Sequence, residues 1–201
     1  ADSKDTLKTV VANLLNYGAA SQIYADYNTD NLVNAIESYS TKKYGEVNIA
    51  DLVKRYQTTS DPVMTSISKN EGSQDIKMSN SLSLKSAIEV IWAIPKTSVD
   101  GKENIELVVN YDGKDYTYTV SDFKAYNSDY YGLYFDKVIA ADFNKTLTAV
   151  LYENGVAISQ TRYYSIESYC ANQVNKSENA NLVALCKAIM KYGNSVDVYF
   201  S

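Results

Sequence analysis

The strongest constraint on the fold lies in two stretches where apolar and polar residues alternate and then meet a two-residue turn signal. Ile105, Leu107, Val109 and Tyr111 run into Asp112-Gly113, after which Tyr116, Tyr118 and Val120 resume the alternation. Leu147, Ala149 and Leu151 run into Asn154-Gly155, followed by Val156 and Ile158. A period of two puts successive side chains on opposite faces of a strand, and Asp-Gly or Asn-Gly supplies the positive φ of a tight hairpin. Both stretches are therefore expected to be antiparallel hairpins. Two-residue spacing also marks Ile76, Met78, Leu82 and Leu84, then Ile88, Val90, Trp92 and Ile94, with further strand texture over 62–69 and 131–138. About eight short strands at turn-punctuated spacing predict an Ig-like antiparallel β-sandwich over 61–163.

The flanks have another period. Leu7, Val10, Val11, Leu14, Leu15, Tyr17 and Ile23 recur at three- and four-residue steps, which predicts an amphipathic helix over 6–24. Thr29 is placed to cap a second helix through Leu32, Val33 and Ile36, with a short one around 49–55, so 1–58 reads as a helical region. At the other end Ser165 is placed to cap Ile166 to Val174, and Ser177 a longer helix through Leu182, Leu185, Ile189 and Tyr192. This predicts a helical hairpin over 164–201. No low-complexity segment or long linker intervenes, so 1–201 is expected to be one compact α+β module with its sandwich braced by the terminal helices.

Composition narrows the function. The 201 residues contain no histidine, which removes Ser-His-Asp and Cys-His nucleophiles, imidazole-bound zinc and histidine proton shuttles together. Lys+Arg 19 against Asp+Glu 24 leaves a net charge of -5, without the basic excess that a nucleic-acid partner requires. No apolar run approaches the roughly 18 residues of a membrane span, and no cationic-then-apolar leader is visible, so the chain reads as mature or trimmed. Tyr 19 against Phe 4 and Trp 1 is the outlying number; tyrosine suits half-buried sheet faces and wet binding surfaces.

The two ends of the chain are copies of one helix. Leu182 to Tyr199 (LVALCKAIMKYGNSVDVY) aligns without a gap on Leu7 to Tyr24 (LKTVVANLLNYGAASQIY), matching the apolar positions and the Tyr-Gly pair. Gly18 and Gly193 thus hold equivalent positions, and since a mid-helix glycine costs roughly 1 kcal/mol against alanine, close helix approach is expected at both. The string Leu14-Leu15-Asn16-Tyr17-Gly18-Ala19-Ala20-Ser21-Gln22, followed by Tyr27-Asn28-Thr29-Asp30-Asn31-Leu32, resembles a repeated module of large secreted and cell-surface proteins of anaerobic gut bacteria. Such proteins often also carry dockerins, leucine-rich repeats or carbohydrate-active domains. Ser81-Leu82-Ser83-Leu84, the Asn154-Gly155 hairpin and Tyr164-Ser165-Ile166-Glu167-Ser168-Tyr169 are similar to the same module. The resemblance implies a secreted or cell-surface setting, neighbouring modules in a longer chain, and no catalytic residues.

Three constellations remain as candidate sites. Asp26, Asn28, Asp30 and Glu37 stand at positions 1, 3, 5 and 12 of a loop with EF-hand and dockerin spacing, with Asn31 where glycine is usual; calcium is the candidate ligand. The competing reading makes Asn28, Thr29 and Asp30 helix caps and leaves Glu37 solvated. Cys170 and Cys186 lie on the two closing helices at levels an antiparallel hairpin would match, giving a disulfide in an oxidising compartment or two buried thiols otherwise. Tyr126, Asn127, Asp129, Tyr130 and Tyr134 combine aromatic faces with short polar groups, the mixture that stacks a sugar ring and bonds its hydroxyls. Here too the plain alternative is a strand whose Tyr131, Leu133 and Phe135 enter the core while Tyr130 and Tyr134 lie outside. Trp92 is expected in the core. No carboxylate pair stands out as a glycosidase pair, so the expectation is a non-catalytic module that binds a polysaccharide, or else a spacer or protein-contact module without a ligand, with a carboxylate-dependent glycoside hydrolase as the third reading.

Overall fold

The computed structural model describes residues 3–27, 49–51, 53, 67–68, 76–84 and 87–201. The chain divides into two compact units, one from 61–138 and 145–166 and one from 1–60, 139–144 and 167–201.

The described residues of the first unit form strands, with 3-10 turns at Lys96–Ser98 and Val120–Asp122. Its described strands are β1 (Ile67–Ser68), β2 (Ser79–Leu84), β3 (Ile88–Pro95), β4 (Ile105–Tyr111), β5 (Lys114–Thr119), β6 (Lys124–Ala125), β7 (Tyr130–Phe135), β8 (Leu147–Glu153), β9 (Val156–Ala157) and β10 (Thr161–Tyr164). They form two antiparallel sheets, one ordered β2-β3-β7-β6 and the other β1-β10-β8-β4-β5, with β9 added to β8. Both expected hairpins are present. Asp112 and Gly113 have φ of 52° and 76°, Asn154 and Gly155 of 51° and 77°, the positive pair that a right-twisted two-residue turn demands.

Alternation then fills the space between the sheets. Ile105, Leu107, Val109 and Tyr111 of β4 and Leu147, Ala149 and Leu151 of β8 are buried, while the residues between them are partly exposed. From the other sheet, Val90, Trp92 and Ile94 stand level with Phe135, Leu133 and Tyr131. Rings join the two sheets: Trp92 meets Tyr164 edge-on at 6.2 Å, and Phe135 meets Tyr111, Tyr116 and Tyr118 at 6.1, 5.4 and 6.4 Å. Trp92 is wholly buried, as its flanking alternation predicts, although its indole Nε1 has no partner among the described residues. The sequence reading misses β10 because an arginine occupies an inward position. Arg162 donates from Nη2 to Asn80 Oδ1 on β2, and burial pulls its guanidinium pKa down.

The described residues of the second unit are helical, with α1 (Ser3–Tyr24), α2 (Ile166–Lys176), α3 (Ala180–Phe200) and a 3-10 turn at Ala140–Asp142. Residues 49–51 and 53 are helical too, inside the expected short helix. The expected helix over Thr29 to Ile36 lies outside the described residues. The cap of α3 is Asn179, whose Oδ1 accepts from Leu182 N at 3.0 Å, while Ser177 Oγ accepts from Asn179 N one step earlier.

α1 packs on α3, and Tyr17 stacks on Tyr192 with centroids 5.8 Å apart and planes within 5°. The face of α1 that is covered is not the apolar stripe. Thr9, Asn13, Asn16, Ala19 and Ala20 are buried, whereas Leu7, Val11, Leu14 and Leu15 are 44–47% exposed. Small and short polar side chains let the helix axes come close, so this stripe meets α3 and the bulky one stays outside. The expected tight contact at Gly18 is corrected in the same way: no described residue outside its own helix turn lies within 4 Å of the position its Cβ would take. At Gly193 a Cβ would come 2.7 Å from Phe143 Cδ2 and 3.2 Å from the Ala140 carbonyl oxygen. Close approach belongs to the second glycine alone.

Candidate tyrosine-bearing sheet face

The register of the β2-β3-β7-β6 sheet decides which side chains share its outer face. Ser79, Ala93, Gly132 and Lys124 stand in one row across the four strands. On one side of that row Ser81 and Ile91 lead to Tyr134; on the other Pro95 leads to Tyr130, and Tyr126 N donates to Tyr130 O at 3.1 Å. Since residues two apart on a strand point the same way, Tyr130 and Tyr134 flank Gly132 on this face.

Gly132 is what allows the tyrosines to close over the strand. A Cβ there would lie 3.2 Å from Tyr134 Cε2, 3.3 Å from Tyr126 Cβ and 3.5 Å from Ile91 Cγ2. The strand has given up a side chain and two tyrosines cover the gap. Lys124 Nζ stands 5.4 Å from the centroid of Tyr134, a cation against an aromatic face. Tyr126 remains 41% exposed, and Tyr130 and Tyr134 are half-buried. Sequence reasoning did not single out Gly132 or Lys124, although a glycine inside strand texture was the available signal.

The polar members of the expected set are arranged differently. Asn127 Oδ1 accepts from the backbone N of Asp129 and of Tyr130, both at 2.9 Å, so this residue builds the turn between β6 and β7. Asp129 sits in that turn, exposed, its carbonyl accepting from Lys96 N at 2.9 Å. Leu133 and Phe135 enter the core and Tyr131 is half-buried. Tyr131 donates its hydroxyl to Asp100 Oδ1 at 2.8 Å, and that carboxylate raises the phenol above its ordinary range. The structure therefore brings Tyr126, Tyr130 and Tyr134 together with Lys124 on one face, and leaves Asn127 and Asp129 at its rim.

Of the expected calcium ligands, Asp26 is exposed just past the end of α1 with φ of 51°, and Asn28, Asp30 and Glu37 lie outside the described residues. Among the described residues no cluster of three or more Cys, Asp or Glu could hold a metal ion, and no helix is long and apolar enough to cross a membrane. The expected disulfide is corrected. Cys170 and Cys186 are adjacent and wholly buried, but they are two thiols sharing a hydrogen bond. They pack as small hydrophobes, and burial, with the neighbouring thiol adding to it, holds Cys170 well above the ordinary thiol range.

No family model, curated protein or solved structure matches the chain.

Proposed function

We propose that this chain is a non-catalytic binding module of an extracellular multi-modular protein, and that its tyrosine-bearing sheet face engages a polysaccharide. The observation that carries the reading is the grouping of Tyr126, Tyr130 and Tyr134 around Gly132 with Lys124 beside them. Aromatic rings stack on the apolar face of a sugar ring, and phenol and ammonium groups at the rim bond its hydroxyls. The strand order supports an Ig-like framework for this face. Taking β2, β3, β4, β5, β6, β7, β8 and β10 as A, B, C, C′, D, E, F and G gives one sheet ordered A-B-E-D and the other G-F-C-C′.

Affinity electrophoresis against starch, xylan, cellulose derivatives and mucin tests the proposal. Retardation is expected in at least one gel and should vanish in Tyr126→Ala and Tyr134→Ala while the far-ultraviolet circular dichroism is unchanged. Equal mobility with and without every polymer would leave the second reading in place, a spacer or protein-contact module, for which the uncovered apolar face of α1 speaks.

A further inference from the structure

The internal repeat turns the uncovered face of α1 into a question with a built-in answer. Val11, Leu14, Leu15 and Gly18 are the register equivalents of Cys186, Ile189, Met190 and Gly193 in α3. In α3 all four are buried. Cys186 lies against Cys170 of α2, and Gly193 lies against Phe143 and the Ala140 carbonyl of the 3-10 turn. Glu167 N donates to Phe143 O at 2.8 Å, which ties α2 and that turn into one ledge, and Asn144 Nδ2 reaches Asp197 Oδ2 of α3 at 3.4 Å.

The opposite faces of the two helices are what they share. Asn13 and Ala188 are equivalents and both buried, as are Ala20 and Ser195, and the equivalent Tyr17 and Tyr192 are stacked. The pair thus packs through equivalent surfaces, the arrangement of a quasi-twofold dimer, yet among the described residues only α3 has a ledge on its other side. On α1 the corresponding side chains stay 44–47% exposed, and the space above Gly18, filled by Phe143 at Gly193, is open.

We infer that the open face of α1 is the seat of a second ledge of this build, an α2-like helix with a phenylalanine-bearing turn, supplied by another copy of this module, without an α1 of its own, placed before it in the same polypeptide. α1 then closes that copy as α3 closes this one. The face is uncharged from Leu7 to Gly18 along this stripe, which suits an apolar and aromatic occupant, and the inference is independent of sugar binding.

The test fuses residues 26–181 directly to residues 7–201, so that one shared helix with the sequence of α1 stands where α3 of the first copy would stand, and α3 of the second copy takes the place of the first copy's α1 on its other face. Native titration with a thiol reagent is the readout, because buried structural cysteines are inert until uncovered. The expected result is a folded chain in which the Cys170 of the first copy is as protected as the thiols of the single chain. Leu14→Glu with Leu15→Glu in the shared helix should release that thiol, and the same pair of changes in the unfused chain should leave both thiols protected and the melting temperature unchanged. A fused chain that fails to fold, or whose first Cys170 reacts at the unfolded rate, overturns the inference. So does loss of protection in the substituted single chain, since the face would then already be in use.

Discussion

Gly18 and Gly193 hold one register in two copies of a helix and yet invite opposite outcomes. Alanine at Gly193 would place its methyl group 2.7 Å from the Phe143 ring, in a site closed by the Ala140 carbonyl. Gly193→Ala should cost about 1–3 kcal/mol by overpacking, more than the helix propensity it gains. Gly18→Ala meets open space and should stabilise by up to about 1 kcal/mol. Urea denaturation of the two variants reads both signs. Asn13 gives a second residue-scale prediction. It is wholly buried, and neither its Nδ2 nor its Oδ1 has a partner among the described residues. Its equivalent in α3 is Ala188, so Asn13→Ala should fit the same kind of contact and raise stability by about 1 kcal/mol, the desolvation cost of the amide outweighing the lost packing. A lowered melting temperature would contradict this.

At the scale of elements, hairpins were readable because their turn chemistry is local. The backbone conformation at Asp112-Gly113 and Asn154-Gly155 is dictated by those residues, and the flanking alternation fixes which face is buried. β10 was hidden by Arg162, whose inward position is stabilised by a partner on a strand far away in sequence. The covered face of α1 was hidden for a related reason. Periodicity shows that a helix has an apolar stripe, but the nature of the neighbour selects the face that is used. The α1/α3 pair, with α2 beside it, also carries a pH dependence. Burial raises the Tyr17 phenol, and burial with the adjacent Cys186 raises the Cys170 thiol. While both groups are protonated in the folded and unfolded chain their contribution is fully present. Once the pH passes the ordinary thiol range, at about pH 8.5, the unfolded chain ionises first and stability falls, with the phenol adding to the loss above about pH 10. The urea midpoint should be level near neutrality and decline on the alkaline side; Cys170→Ala should remove the early part of the decline and Tyr17→Phe the later part.

Across the length of the chain, α1 near its start rests on α3 near its end, so α1 does not merely dangle. Deleting residues 1–25 should uncover the Tyr192 side of α3. The helical signal at 222 nm should fall by more than the deleted residues account for, and the Cys170 and Cys186 thiols should begin to react. An unchanged transition with protected thiols would show that α1 contributes nothing to this unit. The candidate site was legible only in part for the opposite reason. Tyr126, Tyr130 and Tyr134 stand near one another in sequence and were found, whereas the row that places Lys124 and Gly132 among them runs across four strands and exists only once the register is set.

The pairing of the first helix with the last also sets an order of events during synthesis. α1 leaves the ribosome early, but α3 begins only at Ala180, and at translation rates of about 5–20 residues per second the delay is on the order of ten seconds. Throughout that interval α1 has no α3 to cover its Asn13 and Ala20 stripe. The β2/β3, β4/β5, β6/β7 and β8/β9 hairpins can pair as they emerge, whereas β3 waits for β7, β4 for β8 and the N-terminal helix longest of all, for α3.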